Sequence, residues 1–395
     1  MVLINVDGVI ARRVLRGGRR RSTAASARPH VAFLVWRDTG HPEGGGSELF
    51  VERMAEHLAA TGWAVTLCTA AYPGAPRDEV RHGVTIRRRG RRLTVYPRGL
   101  SYLLGAGRRA DVIVDVQNGL PFFAPLVRRR GIVNLVHHVH REQWQIIFPG
   151  TFGRVGWWVE SRIAPLLYRS HRYVTVSEAT RRELAALSVE PTRVDIVRNG
   201  LDDPAPVVRA SRADVPTICV LGRLVPHKRV EHALNAAARA RPVLPDLRVE
   251  VVGEGWWHDT LAARTAELGL TEAVTFHGHL PDAERDAVLD RSWLLLAPSV
   301  KEGWGIAIME AAAHGVPAIA YRSAGGVVES IVDGETGWLV DDEAELQKRV
   351  EELLLDPLLR DDMAAKARAR AAEFDWGTSC RRFAELVERA RTERG

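Results

Sequence analysis

At 395 residues with a net charge of +6, the chain is too long for one ordinary hydrophobic core, so two domains are expected. Its 46% hydrophobic and 26% charged residues fit a globular protein, and no apolar run reaches the ~18 residues that span a bilayer. Cys68, Cys219 and Cys380 stand far apart with no C-x-x-C pair, which excludes a disulfide framework or zinc–thiolate site and leaves them as packing residues.

Residues 1–28 show no period and end in an Arg/Ser/Ala-rich stretch, so they read as a poorly ordered extension. Arginines from Arg12 onward interrupt their apolar start before a secretory core could form, and a cytoplasmic location is the expectation. A repeating grammar then begins. Residues 30–35 (HVAFLV) are a short apolar run bounded by polar residues, the mark of a buried strand. After a glycine-rich loop, residues 47–61 repeat Leu49, Met54 and Leu58 at helical spacing and stop at Gly62. Further strands are expected at 64–69, 111–116, 132–136 and 173–176. Strands alternating with helices imply parallel sheets covered on both faces.

Residues 191–216 break this pattern with four prolines, a short strand at 195–198 and the turn Asn199-Gly200, as an inter-domain linker would. The grammar restarts with strands at 217–221, 248–252, 273–276, 293–297 and 318–321 and a helix at 230–241. The expected organisation is an extension (1–28), a first Rossmann-like domain (29–203) and a second (204–376). A last helix (377–395) is free to pack on either domain, including back onto the first. The fold class is α/β: two Rossmann-like domains facing across a cleft, with ligands at the carboxyl ends of the strands.

Three loops carry chemistry. Gly44-Gly45-Gly46-Ser47 follows a strand and opens a helix, where close backbone approach and free N–H groups suit a phosphate; alone it reads equally as a structural turn. Arg223 and Lys228, in GRLVPHK, place a fork donor and a point charge after a strand of the second half, as a pyrophosphate requires. Glu302 and Glu310 are separated by seven residues, one in the loop after the strand 293–297 and one inside an otherwise apolar helix. Burying the second would be costly without hydroxyl partners, and sugars supply them.

The arginines cluster at 19–21, 87–92 and 128–130. They read either as solvated surface or as contacts to an anionic partner, meaning membrane phospholipid at the inner face of the membrane or a phosphorylated acceptor. Nucleic acid is set aside, since the clusters lack interleaved aromatics and a binding motif.

The segment EGWGIAIME (302–310) resembles the E-x7-E motif of retaining glycosyltransferases of family 4, which adopt the glycosyltransferase-B fold. VSEATRREL, RNGLD, GRLVPHK, VVGEG, FHGHL and HGVPAIAYRSAGGVVESIVDGETGWLV fall in that family's order, and the resemblance covers roughly residues 30–390. It implies a nucleotide-diphosphate sugar as donor. Gly45 and Gly46 would lie against the donor phosphates. Arg223 and Lys228 would neutralise the leaving diphosphate. Glu302 would hold the sugar, and Glu310 the ribose. Gly303, Trp304, Gly305 and Ile306 would offer loop and helix-start backbone to the donor. Gly278, His279 and Leu280 would line the base pocket, and His137 would stand beside the transferred sugar. His138 and His140 lie close enough to compete with His137 for that place. Two departures are visible: Arg229 stands where many relatives have glycine, and Trp304 where many have phenylalanine.

The resemblance also implies a retaining hexosyltransferase. With no obvious carboxylate nucleophile, front-face attack is expected. No Asp-x-Asp triplet occurs, which fits a site in which side-chain cations stand where a metal would; no metal or cofactor is expected. UDP- and GDP-sugars both suit a base pocket made mostly of backbone. Arg87 to Arg92 and the Trp-rich stretch 144–158 point to an anionic or amphiphilic acceptor, either a lipid-linked glycan or a secondary metabolite. The competing classes are a nucleotide-sugar epimerase of the same fold and a non-catalytic binding protein. A dinucleotide oxidoreductase is weaker, because Gly253-Glu254-Gly255 lacks the full G-x-G-x-x-G spacing.

Overall fold

The computed structural model describes residues 28–202 and 211–393. The expected N-terminal extension, but for its last residue, lies outside them. The first unit runs β1 (His30–Leu34), α1 (Gly46–Ala60), β2 (Ala64–Thr69), β3 (Asp78–Arg81), β4 (Val84–Arg88), α2 (Val95–Leu104), β5 (Val112–Gln117) and β6 (Ile132–Val136). It continues through α3 (Arg141–Ile147), α4 (Thr151–Trp158), α5 (Ala164–Leu167), β7 (Arg172–Thr175), α6 (Glu178–Ala186) and β8 (Val194–Ile196). Its eight strands form one sheet in the order β3-β4-β2-β1-β5-β6-β7-β8, parallel except for the β3–β4 hairpin.

The second unit comprises β9 (Thr217–Leu221), α7 (Val230–Ala240), β10 (Arg248–Val252), α8 (His258–Glu267), β11 (Val274–Gly278), α9 (Asp282–Arg291), β12 (Leu294–Ala297) and α10 (Ile306–Ala313). Then come β13 (Ala318–Tyr321), α11 (Val327–Ser330), β14 (Gly337–Val340), α12 (Glu343–Leu355), α13 (Pro357–Ala371) and α14 (Trp376–Thr392). Six parallel strands order as β11-β10-β9-β12-β13-β14. In both sheets the strand order reverses direction near the first strand of the unit. Those switch points, at the ends of β1 and β9, are where an open α/β sheet leaves a crevice.

The β3–β4 hairpin corrects the surface reading for Arg88 alone, while Arg91 and Arg92 are exposed. Val84, Ile86 and Arg88 alternate onto the buried face of β4, and the turn His82-Gly83 has positive φ at both residues (47° and 81°), the geometry that matches strand twist. Arg88 is buried, its Nε 2.6 Å from Asp38 and its Nη1 2.7 Å from Glu79. Arg89 pairs with Asp78 at 2.6 Å. Of the later cluster, Arg128 bonds the carbonyls of Arg108 and Ala110. Those residues precede β5 and β6, at the sheet edge opposite the crevice.

The chain passes between the units twice, side by side. On the way out, the Leu201 amide donates to the Phe374 carbonyl at 3.2 Å, and Gly200 lies so close to Trp376 that a Cβ there would fall 2.2 Å from its backbone nitrogen. On the way back, α14 packs on the first sheet. Phe383 meets Phe33 and Phe50 with ring centroids 6.1 and 6.2 Å apart, and Arg172 holds Glu393 at 2.6 Å. Among the described residues no helix is long and apolar enough to cross a membrane.

Phe383 is fully buried, so Phe383→Ala should cost about 3–5 kcal/mol of unfolding free energy. Urea melts of the two proteins check this. A loss below about 1 kcal/mol would mean that α14 is not part of the first unit's core.

Candidate active site

The two crevices face each other and form one groove of about 830 Å³. From the first unit it is bordered by Gly44 to Ser47, His137, His138 and Gln143; from the second by Arg223, Lys228, Glu254, His279, Leu280, Glu302 to Ile308, and Glu310. Every site residue expected from the sequence borders this groove except Gly278. Gly278 stands directly before His279, at φ +66°, and its carbonyl accepts from the Gly253 amide.

The glycine loop owes its shape to a carboxylate that the sequence reading passed over. Glu48, buried in the first turn of α1, accepts from the Gly45 amide at 2.9 Å, the Ser47 hydroxyl at 2.8 Å and Arg37 at 3.0 and 3.1 Å. Its spacing, three residues after the helix cap, is that of a capping box and was the available signal. Burial alone would raise the Glu48 pKa; the charges of Arg37 and Arg223 and the Ser47 hydroxyl outweigh it and hold it below the ordinary value. With the Gly45 amide committed to Glu48, the amides of Gly46 and Ser47 have no acceptor among the described residues. They are the donors left at the positive end of α1. Room is tight where the units meet, against a movable side-chain tip at Gly46 and against fixed backbone at Gly303. A Cβ on Gly46 would fall 2.5 Å from Ile306 Cδ1, and one on Gly303 would fall 2.6 Å from the His137 carbonyl oxygen.

Opposite this loop, Lys228 Nζ lies 2.5 Å from Glu302 Oε1, and the Ser299 hydroxyl donates to the same oxygen at 2.7 Å. Burial pushes the Glu302 pKa up, but Lys228 and Ser299 reverse the effect and the carboxyl is held below its ordinary value. The sequence reading gave Lys228 and Glu302 separate partners, and the structure joins them in one ion pair. Arg223 stands beside both units. Burial and the neighbouring Arg37 lower its pKa while Glu48 and Glu43 oppose them, and a guanidinium stays charged throughout. Glu310 borders the groove from inside α10, 3.6 Å from Arg285; burial raises its pKa and Arg285 partly offsets this.

Trp304 borders the groove, but its ring is buried and packs on Phe374 at 5.0 Å, so it serves the core. The expected base-side backbone is also partly committed, since the His279 amide donates to Glu254 at 3.2 Å. Arg229 sits at φ +49°, in the left-handed region that favours glycine, directly after the Pro226–Lys228 turn. That accounts for glycine at this place in the family's pattern. Of the three histidines after β6, His137 packs edge-on to Phe50, while the His138 and His140 rings lie 4.1 Å apart, His138 bonding Gln143 at 2.9 Å and His140 bonding Glu160 at 3.1 Å.

The two units are tied near the groove by the second unit's Glu329. It accepts from the Glu178 and Ala179 amides at the start of α6, at 2.6 and 3.1 Å, and from Arg198 at 2.9 Å. Lys301 also pairs with Glu183.

Two sequence families match this chain. The model described as Glycosyltransferase Family 4 covers residues 44–204, and that described as Glycosyl transferases group 1 covers residues 205–370. A D-inositol 3-phosphate glycosyltransferase from Thermobispora bispora is 32% identical across 94% of this chain and 96% of its own. The protein belongs to the family 4 glycosyltransferases. It is a hexosyltransferase of the glycosyltransferase-B fold. A GDP-mannose-dependent alpha-(1-6)-phosphatidylinositol monomannoside mannosyltransferase from Mycolicibacterium smegmatis is 29% identical over 89% of this glycosyltransferase and 97% of its own chain. Among solved structures, sucrose-phosphate synthase from Thermosynechococcus elongatus superposes with a TM-score of 0.77 at 20% identity, covering 92% of this chain and 99% of that one. HepE from Anabaena, solved with UDP and glucose, gives 0.71 at 19% identity, covering 91% and 100%.

Burial lowers the pKa of His137 from 6.5 to about 4, against the pull of Glu48. Burial with Lys228 and Arg223 lowers that of His227 to about 3. Both rings are neutral at pH 7. The unfolded chain, with these histidines near 6.5, binds more protons than the folded one over that interval. The stability they contribute is therefore complete above about pH 6.5 and falls on acidification, by up to about 1.4 kcal/mol per pH unit for each ring. Urea midpoints measured from pH 7 to 4.5 should drop, and His137→Asn should flatten the decline. An unchanged slope in that variant would show that His137 is not among the groups responsible.

Proposed function

We propose that the enzyme transfers a hexose, with retention, from a UDP- or GDP-sugar to an anionic, amphiphilic acceptor at the inner face of a membrane, and that it needs no metal to do so. One observation carries the reading. Arg223 and the Lys228–Glu302 pair stand across the groove from the two open amides of Gly46 and Ser47. A diphosphate between them meets cations on one side and helix-start N–H groups on the other.

The chemistry follows from that charge pattern. The bond from the anomeric carbon to the diphosphate oxygen breaks as the acceptor hydroxyl approaches from the same face. The hydroxyl proton passes to the departing phosphate oxygen. Arg223 and Lys228 stabilise the negative charge that grows on the leaving group, and they are already fixed before it forms. Glu302, held ionised by Lys228, accepts from sugar hydroxyls and keeps the anomeric carbon in line; Glu310 takes the ribose side. His137, neutral at pH 7, adds no like charge beside an oxocarbenium-like sugar. The cationic side chains occupy the place that a divalent ion would otherwise fill. The anionic character of the acceptor is supported by the relatives whose names specify phosphatidylinositol monomannoside and D-inositol 3-phosphate, both of which carry a phosphate, and its amphiphilic character by the first alone.

Replacing Lys228 by Ala should lower kcat about 100-fold or more with a matching loss of donor affinity, the scale of one preorganised charge contact. Steady-state kinetics with UDP- and GDP-sugars give the answer, and near-normal turnover would remove Lys228 from the reaction. Activity should survive EDTA. Full loss that magnesium restores would overturn the metal-free part of the reading.

A further inference from the structure

The α3–α4 hairpin leaves its apolar side uncovered although its inner side is fully packed. Gly153 and Gly156 of α4 lie against α3 and its end; a Cβ on Gly156 would fall 2.4 Å from the Trp144 ring. The Trp144 indole donates to Glu160 at 2.6 Å, and Glu160 also accepts from the His140 amide at 3.1 Å. The hairpin is therefore held firmly by its inner face. On the outer side Phe152, Val155 and Trp158, three residues apart on α4, are 83, 52 and 56% exposed. Ile146 and Ile147 extend this patch from the end of α3, and both are exposed.

The charge along this segment is mainly positive. Arg141, Arg154 and Arg162 are exposed on the same segment, while Glu142 is the one exposed carboxylate in residues 141–169. The Arg92 guanidinium lies 5.0 Å from the Phe148 ring and brings a further cation from the loop after β4. Rings and aliphatic tips surrounded by guanidinium groups match a surface with apolar tails beneath phosphates.

We propose that the α3–α4 hairpin seats this enzyme on an anionic lipid bilayer. The inference deepens the amphiphilic-acceptor reading and rests on it only for the nature of the acceptor. The hairpin's base is part of the groove: Gln143 on α3 and His138 before it border the cavity, and α3 packs against the Pro226–Lys228 turn that bears Lys228. A seated hairpin holds the groove mouth at the headgroup layer. An acceptor hydroxyl presented there reaches the donor while its tails stay in the bilayer.

The test is co-sedimentation of the full chain with phosphatidylcholine vesicles, with and without phosphatidylglycerol. The wild type should pellet with the anionic vesicles and stay mainly in solution with the neutral ones. Phe152→Glu/Trp158→Glu should weaken that binding at least about 10-fold, because two exposed apolar anchors are lost and two negative charges added. Arg154→Glu/Arg162→Glu, which leaves the apolar tip intact, should also weaken it and should blunt its salt dependence. Thermal shifts with GDP and UDP on the same samples should match the wild type and so establish that the variants are folded. Wild-type protein that ignores anionic vesicles, or variants that bind as well as wild type, overturn the proposal. So does a dimer on size exclusion that the Phe152/Trp158 variant dissolves, since the face then belongs to a second copy. Absence of any nucleotide shift in the wild type would count against the donor reading alone.

Discussion

The groove depends on balancing buried cations at close range. Arg223 and Lys228 border one cavity and Arg37 lies against Glu48 beside it, and like charges held close together repel. Two carboxylates make the arrangement stable, one from each half: Glu48 beside Arg37 and Glu302 beside Lys228. Each carboxylate also has local hydroxyl or amide donors, which fixes its position. The positive ends are thus held in place by fixed carboxylates, and the groove carries its charge pattern already assembled.

The same carboxylates explain why local backbone has its shape. Glu48 takes the Gly45 amide and leaves the next two amides without an acceptor among the described residues. The Glu302 backbone pairs with residues 324–326, its amide donating to the Ala324 carbonyl at 2.7 Å and its carbonyl accepting from the Gly326 amide at 3.0 Å. A side chain at Gly303 would meet the backbone of the opposite unit at His137, so that glycine serves the closeness of the two units. Glu329 adds a third tie by occupying the start of α6 from across the boundary.

Much of this was legible in the sequence, for identifiable reasons. Parallel strands buried on both faces stand out as apolar runs, and the glycine loop, GRLVPHK and the two glutamates lie directly after such runs, where the crevice must be. The β3–β4 hairpin was hidden because its strands carry arginines; a run such as Arg87-Arg88-Arg89 reads as surface until Asp38 and Glu79 are seen to meet the middle one. β14 opens on Gly337 directly after the turn residues Asp333-Gly334-Glu335-Thr336, which leaves only three apolar residues to mark it, whereas the equally short β13 is apolar throughout. The ion pair between Lys228 and Glu302 joins residues 74 positions apart, and no local spacing announces it. Arg229 was noticed as a departure, but only its positive φ gives the reason. The fate of the last helix was open because an amphipathic face does not say which sheet will cover it.

The return of α14 to the first sheet makes that unit discontinuous along the chain. Its core, around Phe33 and Phe50, is closed by residues that follow the whole second unit in the chain. During synthesis the first sheet must wait with one apolar face open while its partner folds. Loss of α14 would therefore open the core of a unit whose strands all precede it by more than 170 residues, from Ile196 to Trp376.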